Sequence, residues 1–171
     1  MYFKLSKLNS LDEDQAKATF SQCCSATRWV GMMVRSLPYD NTDSVVEHAR
    51  YYWRQMGRED YQEAFDGHPK IGDPASLKEK YRNTHHLASS EQSSVEVASD
   101  RVLEELADLN NQYEKRFGFI FIVCASGKSA EEMLSLIRQR IQNEPDTEIR
   151  IPASEQDKIT ILRIRKLLEP D

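Results

Sequence analysis

The sequence has few cysteines, and none of them stands in a spacing that is typical of a metal site or a redox motif. Three cysteines occur in 171 residues: Cys23 and Cys24 are adjacent, and Cys124 lies in an apolar run. The odd count and the absence of a Cys-x-x-Cys pair argue against zinc and thioredoxin-type sites. We interpret all three as reduced, buried thiols.

Long apolar segments and an excess of positive charge are missing as well. No apolar run approaches the roughly 20 residues that cross a membrane, so no membrane association is expected. The first residues, MYFKLSKLNSLDED, lack the pattern of a secretory signal, and the last, KLLEPD, are not a peroxisomal address, which predicts a cytoplasmic protein. A formal net charge of −5 argues against nucleic-acid binding. An anionic ligand would need positive side chains placed locally.

The composition is that of an ordinary soluble globular protein. Hydrophobic residues make up 39% and charged residues 30% of the chain. A length of 171 residues lets one domain, 1–171, bury a core without metals or disulfides. Apolar residues recur at intervals of three and four along most of the chain. This spacing predicts an all-α fold, a single compact domain of about eight helices.

Caps and helix breakers set the expected boundaries. Ser10–Glu13 and Ser129–Glu132 have the pattern of a capping box, and Asn41 opens another helix. Further helices are expected over residues 26–36, 59–65 and 74–81, from 89 to about 117, and in a last segment ending at 168. The apolar run 119–125 fits either an extended segment or a buried helix.

The octet DGHPKIGD, Asp66–Asp73, places a histidine in a segment that suits neither a helix interior nor a strand. Pro69 biases His68 toward extended geometry, and Gly67 and Gly72 permit sharp turns on both sides. Imidazole has a pKa of roughly 6.5, so it exchanges protons near neutral pH. Two interpretations stay open: a loop that aims the imidazole into a cleft, or a solvent-facing loop with an incidental histidine.

A second candidate, Arg163, falls on an apolar face of the last predicted helix. With Ile159 at 0°, Arg163 lies at about 40° on the helical wheel and Leu167 at about 80°. A buried guanidinium needs an anion or carbonyl partner, and its planar fork suits a carboxylate or ureide. A snorkelling arginine or an internal ion pair explains the position equally well.

Glu91 and Gln92 also allow two interpretations. In the first turn of a predicted helix, Glu91 complements the helix dipole and Gln92 completes a cap. A carboxylate near a histidine, however, also fixes its tautomer and favours the protonated ring. The amide of Gln92 offers a donor and an acceptor, which match the edges of a ureide.

Five segments, in order, resemble the 2-oxo-4-hydroxy-4-carboxy-5-ureidoimidazoline (OHCU) decarboxylase family of uric-acid degradation. They extend over nearly the whole chain. The segments are CCSATRWVGMMVRSLPY, EAFDGHPKIGD, SSEQ, LNNQYEKRFGFIFIVCASGKS and KITILRIRKLL. Each motif is short, but five in the right order are specific.

The resemblance implies an all-helical carboxy-lyase that forms (S)-allantoin. It implies His68 as the catalytic acid, Glu91 as its acidic partner and Arg163 as the group that holds an oxygen-rich edge of the substrate. It further implies two substrate-binding segments beside Pro69: Ala88, Ser89, Ser90, Glu91 and Gln92, and Phe121, Ile122, Val123, Cys124 and Ala125. Such an enzyme needs no cofactor and no metal, takes a small anionic ureidoimidazoline as substrate and is commonly a homodimer.

Two other function classes make different predictions. A metal-dependent hydrolase would use His68, His85 and His86 with Asp73 as ligands, although adjacent histidines rarely converge on one ion. A non-catalytic helical ligand-binding module would leave His68 exposed to solvent, with no cleft joining it to Arg163.

Overall fold

The computed structural model describes residues 4–69, 75 and 95–169 of the chain. Within this part every regular element is a helix, which confirms the all-α class. Nine helices are described: α1 Leu5–Asn9, α2 Glu13–Ser21, α3 Thr27–Arg35, α4 Thr42–Trp53, α5 Arg58–Asp66, α6 Val95–Phe117, α7 Ala130–Arg140, α8 Pro145–Glu148 and α9 Arg150–Leu168. None of them is long and apolar enough to cross a membrane.

Contacts between residues divide the chain into two compact units. The first unit consists of Met1–His68 and Ile151–Asp171, and the second of Pro69–Arg150. Helices α1 to α5 and nearly all of α9 belong to the first unit, and α6 to α8 belong to the second. The single domain over residues 1–171 stays a prediction.

Side-chain caps begin two helices of the first unit. The side chain of Asp12 accepts a hydrogen bond from the backbone N–H of Gln15, and the backbone N–H of Asp12 donates to the side-chain oxygen of Gln15, so this pair is the capping box of α2. The predicted box at Ser10 is wrong, because Ser10 lies at the end of α1 and donates to the carbonyl of Lys7. Asn41 caps α4 as predicted, accepting from the backbone of Ser44.

Two tryptophans join the helices of the first unit. Trp29 is fully buried and donates its indole N–H to the carbonyl of Ala49, which ties α3 to α4. Trp53 donates to the carbonyl of Ala153 at 2.9 Å, which ties α4 to the start of α9. The bond of Trp53 joins segments of the first unit that are 100 residues apart in sequence. Both tryptophans are buried packing residues of this unit.

The second unit pairs the long helix α6 with α7. Gly118, with φ of +80°, ends α6, because that backbone conformation is open to glycine and strained for other residues. Ser129 caps α7 by accepting from the backbone of Glu132, as predicted. The run 119–125 between them is neither helix nor strand.

Candidate active site

A pocket of about 300 Å³ lies in the first unit, and both candidate residues described there line it. Its lining is drawn from the end of α2, the α2–α3 connection, the end of α5 and one face of α9: Ser21, Gln22, Cys24, Ser25, Ala64, Gly67, His68, Gln156 and Arg163. The described lining thus holds a guanidinium and an imidazole but no carboxylate. That balance favours an anionic ligand of small-molecule size.

Contacts between the end of α5 and the α2–α3 connection position His68. The hydroxyl of Ser25 donates to the carbonyls of Glu63 and Ala64 at 3.2 and 3.4 Å, in the last turn of α5. The carboxylate of Glu63 in turn accepts from the backbone N–H of Thr27. These contacts hold the turn that carries the imidazole.

Gly67 is needed for close packing rather than for an unusual backbone conformation. Its φ of −74° and ψ of −10° suit any residue. A Cβ at position 67, however, would lie 2.7 Å from Cβ of Ser25 and closer still to the Ser25 hydroxyl. The sharp turn predicted before His68 is therefore made by an ordinary conformation, and the glycine makes room for Ser25.

The imidazole of His68 contacts a fully buried amide. Its Nε2 lies 2.5 Å from Oε1 of Gln156, whose side chain is 0% exposed. The amide nitrogen of Gln156 donates to the hydroxyl of Thr160 at 3.0 Å, one turn further along α9. His68 itself is half-buried. The histidine is therefore held by a polar chain that enters the core.

Arg163 reaches the same pocket from α9. Its Nη1 donates to the carbonyls of Cys23 and Gln22 at 3.2 and 3.4 Å. These carbonyls lie just beyond the C-terminus of α2, where the helix dipole favours a cation. Within the described residues, Nη1 supplies all hydrogen bonds of this side chain. The Nε and Nη2 groups of Arg163 donate to none of the described residues, so they can donate to a ligand.

The two thiols beside Arg163 are poor nucleophiles at neutral pH. Burial raises the pKa of the Cys23 thiol from 9.0 to about 12, although Arg163 opposes this rise. Burial likewise raises the pKa of Cys24 to about 11, against the backbone of Ala26 and the hydroxyl of Thr160. Because the thiolate is the reactive form, these cysteines serve packing rather than covalent catalysis.

The second predicted binding segment, Phe121–Ala125, belongs to the second unit and is anchored by Arg140. This arginine donates to the carbonyl of Ile122 at 2.7 Å, and its guanidinium lies 4.5 Å from the centre of the Phe121 ring. Lys128 donates to the carbonyl of Cys124 at 2.8 Å. The N–H groups of Phe121, Ile122, Val123 and Ala125 have no acceptor among the described residues.

Arg140 is held in place by a buried polar network. Its Nε lies 2.7 Å from the carboxylate of Glu148, and both side chains are almost fully buried. Tyr113 donates to the same carboxylate, and Asn143 donates to its other oxygen. Burial raises the pKa of the Tyr113 hydroxyl, so it stays a hydrogen-bond donor. Every member is satisfied, which is what lets an ion pair persist in a core.

The structure brings together one part of the predicted site. His68 and Arg163 line one pocket, whereas a non-catalytic module predicted an exposed His68 with no cleft joining the two. Pro69 follows His68 and is exposed. The segment Ala88, Ser89, Ser90, Glu91 and Gln92 lies outside the described residues, as do Asp73, His85 and His86 of the metal-site alternative. The roles assigned to individual residues stay predictions.

Sequence reasoning missed Gln156, although a signal for it was present. On the helical wheel that singled out Arg163, Gln156 falls at about 60°, between Arg163 and Leu167. An amide on that stripe must find polar partners for the same reason as a guanidinium. The structure supplies them in His68 and Thr160.

Comparisons with known proteins identify the family of the chain. The family model for OHCU decarboxylase matches residues 9–165, which spans both units. A uric acid degradation bifunctional protein of Arabidopsis thaliana is 35% identical over 157 residues, covering 92% of this chain. The chain spans 47% of the length of that relative. The OHCU decarboxylase of Haloferax volcanii is 24% identical, with 94% of this chain and 93% of that protein covered.

Solved structures give the same result. A crystal structure of OHCU decarboxylase in the presence of (S)-allantoin matches with a TM-score of 0.71 and 34% identity. The match covers 94% of this chain and 100% of that one. A crystal structure of (S)-allantoin synthase shares the fold, with a TM-score of 0.67 at 14% identity over 96% of this chain and 54% of that one. The chain belongs to the OHCU decarboxylase family.

Proposed function

We propose that this protein decarboxylates OHCU to (S)-allantoin in the degradation of uric acid. The observation that carries the proposal is the pocket in which His68 and Arg163 meet without a carboxylate in its described lining. The substrate is a small carboxylate with a ureide, so a guanidinium and an imidazole complement its charge and its hydrogen-bonding edges.

The substrate carries its own electron acceptor. When the bond between the ring and the carboxylate breaks, carbon dioxide leaves and the electron pair enters the adjacent ring C=N bond. The hydroxyl on the carbon that lost the carboxylate becomes a carbonyl, and a proton is delivered to one face of the neighbouring carbon. A cofactor such as pyridoxal phosphate does this electron-accepting work in other decarboxylases. The protein has to orient the substrate and move protons.

His68 and Arg163 divide these tasks in the proposed reaction. Arg163, anchored through Nη1 on the end of α2, turns its remaining donors to an oxygen-rich edge of the substrate. His68 supplies the proton, a contribution that is typically worth ~10²–10⁴-fold in rate. Proton delivery to a fixed face gives one enantiomer of the product.

Two further elements complete the proposed site. Glu91 is proposed as the acidic partner of His68, and residues 88–92 as a substrate-binding segment. Residues 121–125 are proposed to bind the ring through backbone groups. The four N–H groups of that segment without acceptors among the described residues support this role. Arg140 fixes the segment by its bond to Ile122.

The test is stereospecific formation of allantoin. OHCU is short-lived, so it is generated from urate in the cuvette by urate oxidase and hydroxyisourate hydrolase. Circular dichroism then follows the product. We expect the purified protein to accelerate formation of the (S) enantiomer in proportion to its concentration. A racemic product at the rate seen without the protein would refute the proposed function.

A homodimer in the cytoplasm is part of the same proposal. The resemblance of the sequence to a family whose members are commonly homodimers supports the oligomeric state, and the cytoplasmic compartment stays a prediction. Sedimentation equilibrium checks the first, with a mass of twice 19.8 kDa expected and a single 19.8 kDa species contradicting it.

A further inference from the structure

We propose that Gln156 is a positioning residue for His68, whose side-chain oxygen accepts the Nε2–H and fixes the neutral ring in the Nε2-protonated tautomer. The expected effect on the rate of (S)-allantoin formation rests on the proposed function, whereas the expected tautomer of His68 does not. In a neutral imidazole one nitrogen donates and the other accepts, and the partner of one nitrogen decides the arrangement.

The geometry around the amide supports this role. Oε1 of Gln156 lies 2.5 Å from Nε2 of His68, and the glutamine side chain is 0% exposed. An amide oxygen at that depth has no access to bulk water, so the imidazole is the donor that satisfies it. Loss of that donor would leave a buried polar atom unpaired, which is unfavourable. The contact therefore constrains both the ring orientation and the position of its proton.

The orientation of the amide follows from the next link in the chain. Thr160 is 4% exposed, and its hydroxyl accepts from Nε2 of Gln156 at 3.0 Å. The amide then presents its NH₂ to Thr160 and its oxygen to His68.

This arrangement determines which ring nitrogen exchanges protons with the substrate. The Nε2–H group of His68 cannot donate to the substrate while it donates to Gln156. Nε2 therefore keeps its proton throughout the cycle, and the proton that the ring gains and loses is carried by Nδ1, the nitrogen on which the proposed acidic partner Glu91 would act. Because Gln156 is neutral, it orients the ring without taking up the proton itself. Gln156 is therefore the structural partner of the catalytic acid.

The first test reads the tautomer directly. Nitrogen-15 NMR of the imidazoles, recorded at about pH 8.5 where histidines are mostly neutral, distinguishes the protonated from the unprotonated ring nitrogen. The His68 signals are identified by their loss in His68→Asn. We expect Nε2 of His68 to be the protonated nitrogen in the unmodified protein. A dominant Nδ1–H tautomer would overturn the proposal, since the amide would then have to donate to Nε2.

The second test uses a pair of substitutions at the same position. Gln156→Met keeps the length of the side chain but removes both hydrogen bonds. It should lower kcat by about 10- to 100-fold, as loss of an orienting partner typically does. KM should change by less than about threefold. The NMR spectrum should show a mixture of the two His68 tautomers. Gln156→Glu retains an oxygen acceptor and should recover the Nε2–H signal. Unchanged tautomer and unchanged kcat in Gln156→Met would overturn the proposal.

A matched control separates positioning from general loss of packing. Ile161→Val alters another buried side chain on α9, 6% exposed, and should lower the unfolding temperature slightly without moving the His68 signals. A shift of those signals in Ile161→Val as large as in Gln156→Met would contradict a specific role. If the unmodified protein forms no (S)-allantoin yet shows the Nε2–H tautomer, the proposed function fails and the assignment of Gln156 stands.

Discussion

Replacing Gly67 by alanine should distort the turn that carries His68. The new Cβ would lie 2.7 Å from Cβ of Ser25, and contacts below 3.0 Å essentially never occur between real atoms of this kind. Rotating the Ser25 side chain cannot relieve the clash, because its Cβ is fixed to the backbone. Rotation would also break the hydroxyl contacts to Glu63 and Ala64. The backbone of the turn must therefore move.

The expected magnitude follows from the type of clash. Inserting one methyl into a well-packed contact typically costs about 1–3 kcal/mol in the free energy of unfolding. A displacement near 1 Å at His68 would also lower kcat/KM by about 10²-fold. No conformational penalty adds to this, because φ at position 67 is −74°. The loss is therefore steric and should be reversible by removing the opposing atoms.

A double-mutant cycle tests this reasoning. Urea unfolding and (S)-allantoin formation are measured for Gly67→Ala, Ser25→Gly and the double variant. Ser25→Gly alone loses the hydroxyl contacts at about 0.5–1.5 kcal/mol. The double variant should be more stable than the sum of the single effects by at least about 1 kcal/mol and should regain activity over Gly67→Ala. Additive effects, or a Gly67→Ala protein as stable and active as the unmodified one, would refute the steric account.

Three other perturbations have defined outcomes. Arg163→Met should fold normally, because the side chain of Arg163 is only half-buried. Its kcat/KM should fall by about 10²-fold. Turnover at the unmodified rate would show that Arg163 does not act in the site. Arg140→Met should lower the free energy of unfolding by about 3–5 kcal/mol, because it leaves the buried carboxylate of Glu148 unpaired. The exposed ion pair of Arg138 with Glu105 should contribute less than about 1 kcal/mol. Equal losses on removing the two arginines would contradict this expectation. Burial raises the pKa values of Cys23 and Cys24 to about 12 and 11, above the pKa of 9.0 that a thiol has in the unfolded chain. Their contribution to the free energy of unfolding is therefore fully present below pH 9.0 and is lost as the pH rises above that value. Between pH 8 and pH 10 the two thiols should account for about 2–3 kcal/mol of lost stability, and the double alanine variant should lack that part.

Local sequence signals predicted those helix boundaries that one side chain decides. Asn41 and Ser129 begin helices as expected, and Gly118 ends one. The box at Ser10 failed because Asp12 and Gln15 present the same chemistry two residues later. A pattern read locally cannot choose between overlapping caps. The choice depends on helix α1, whose short length gives little periodicity to detect.

The site was predictable where a residue type conflicted with its surroundings. His68 stood in a segment of turn residues and Arg163 on an apolar stripe, and both line the pocket. Gln156 conflicts with its surroundings in the same way but is less conspicuous, since a neutral amide is easily taken for a surface residue. The network of Arg140 and Glu148 could not be foreseen, because it depends on how α6, α7 and α8 meet in space.

The most direct test compares the unmodified protein with His68→Asn in the circular dichroism assay. Asparagine can still donate and accept hydrogen bonds, but it cannot exchange a proton near neutral pH. We expect His68→Asn to keep its helical spectrum while losing at least about 10²-fold in the rate of (S)-allantoin formation. Formation of the (S) enantiomer by that variant at the unmodified rate would contradict the role of His68 as the proton donor.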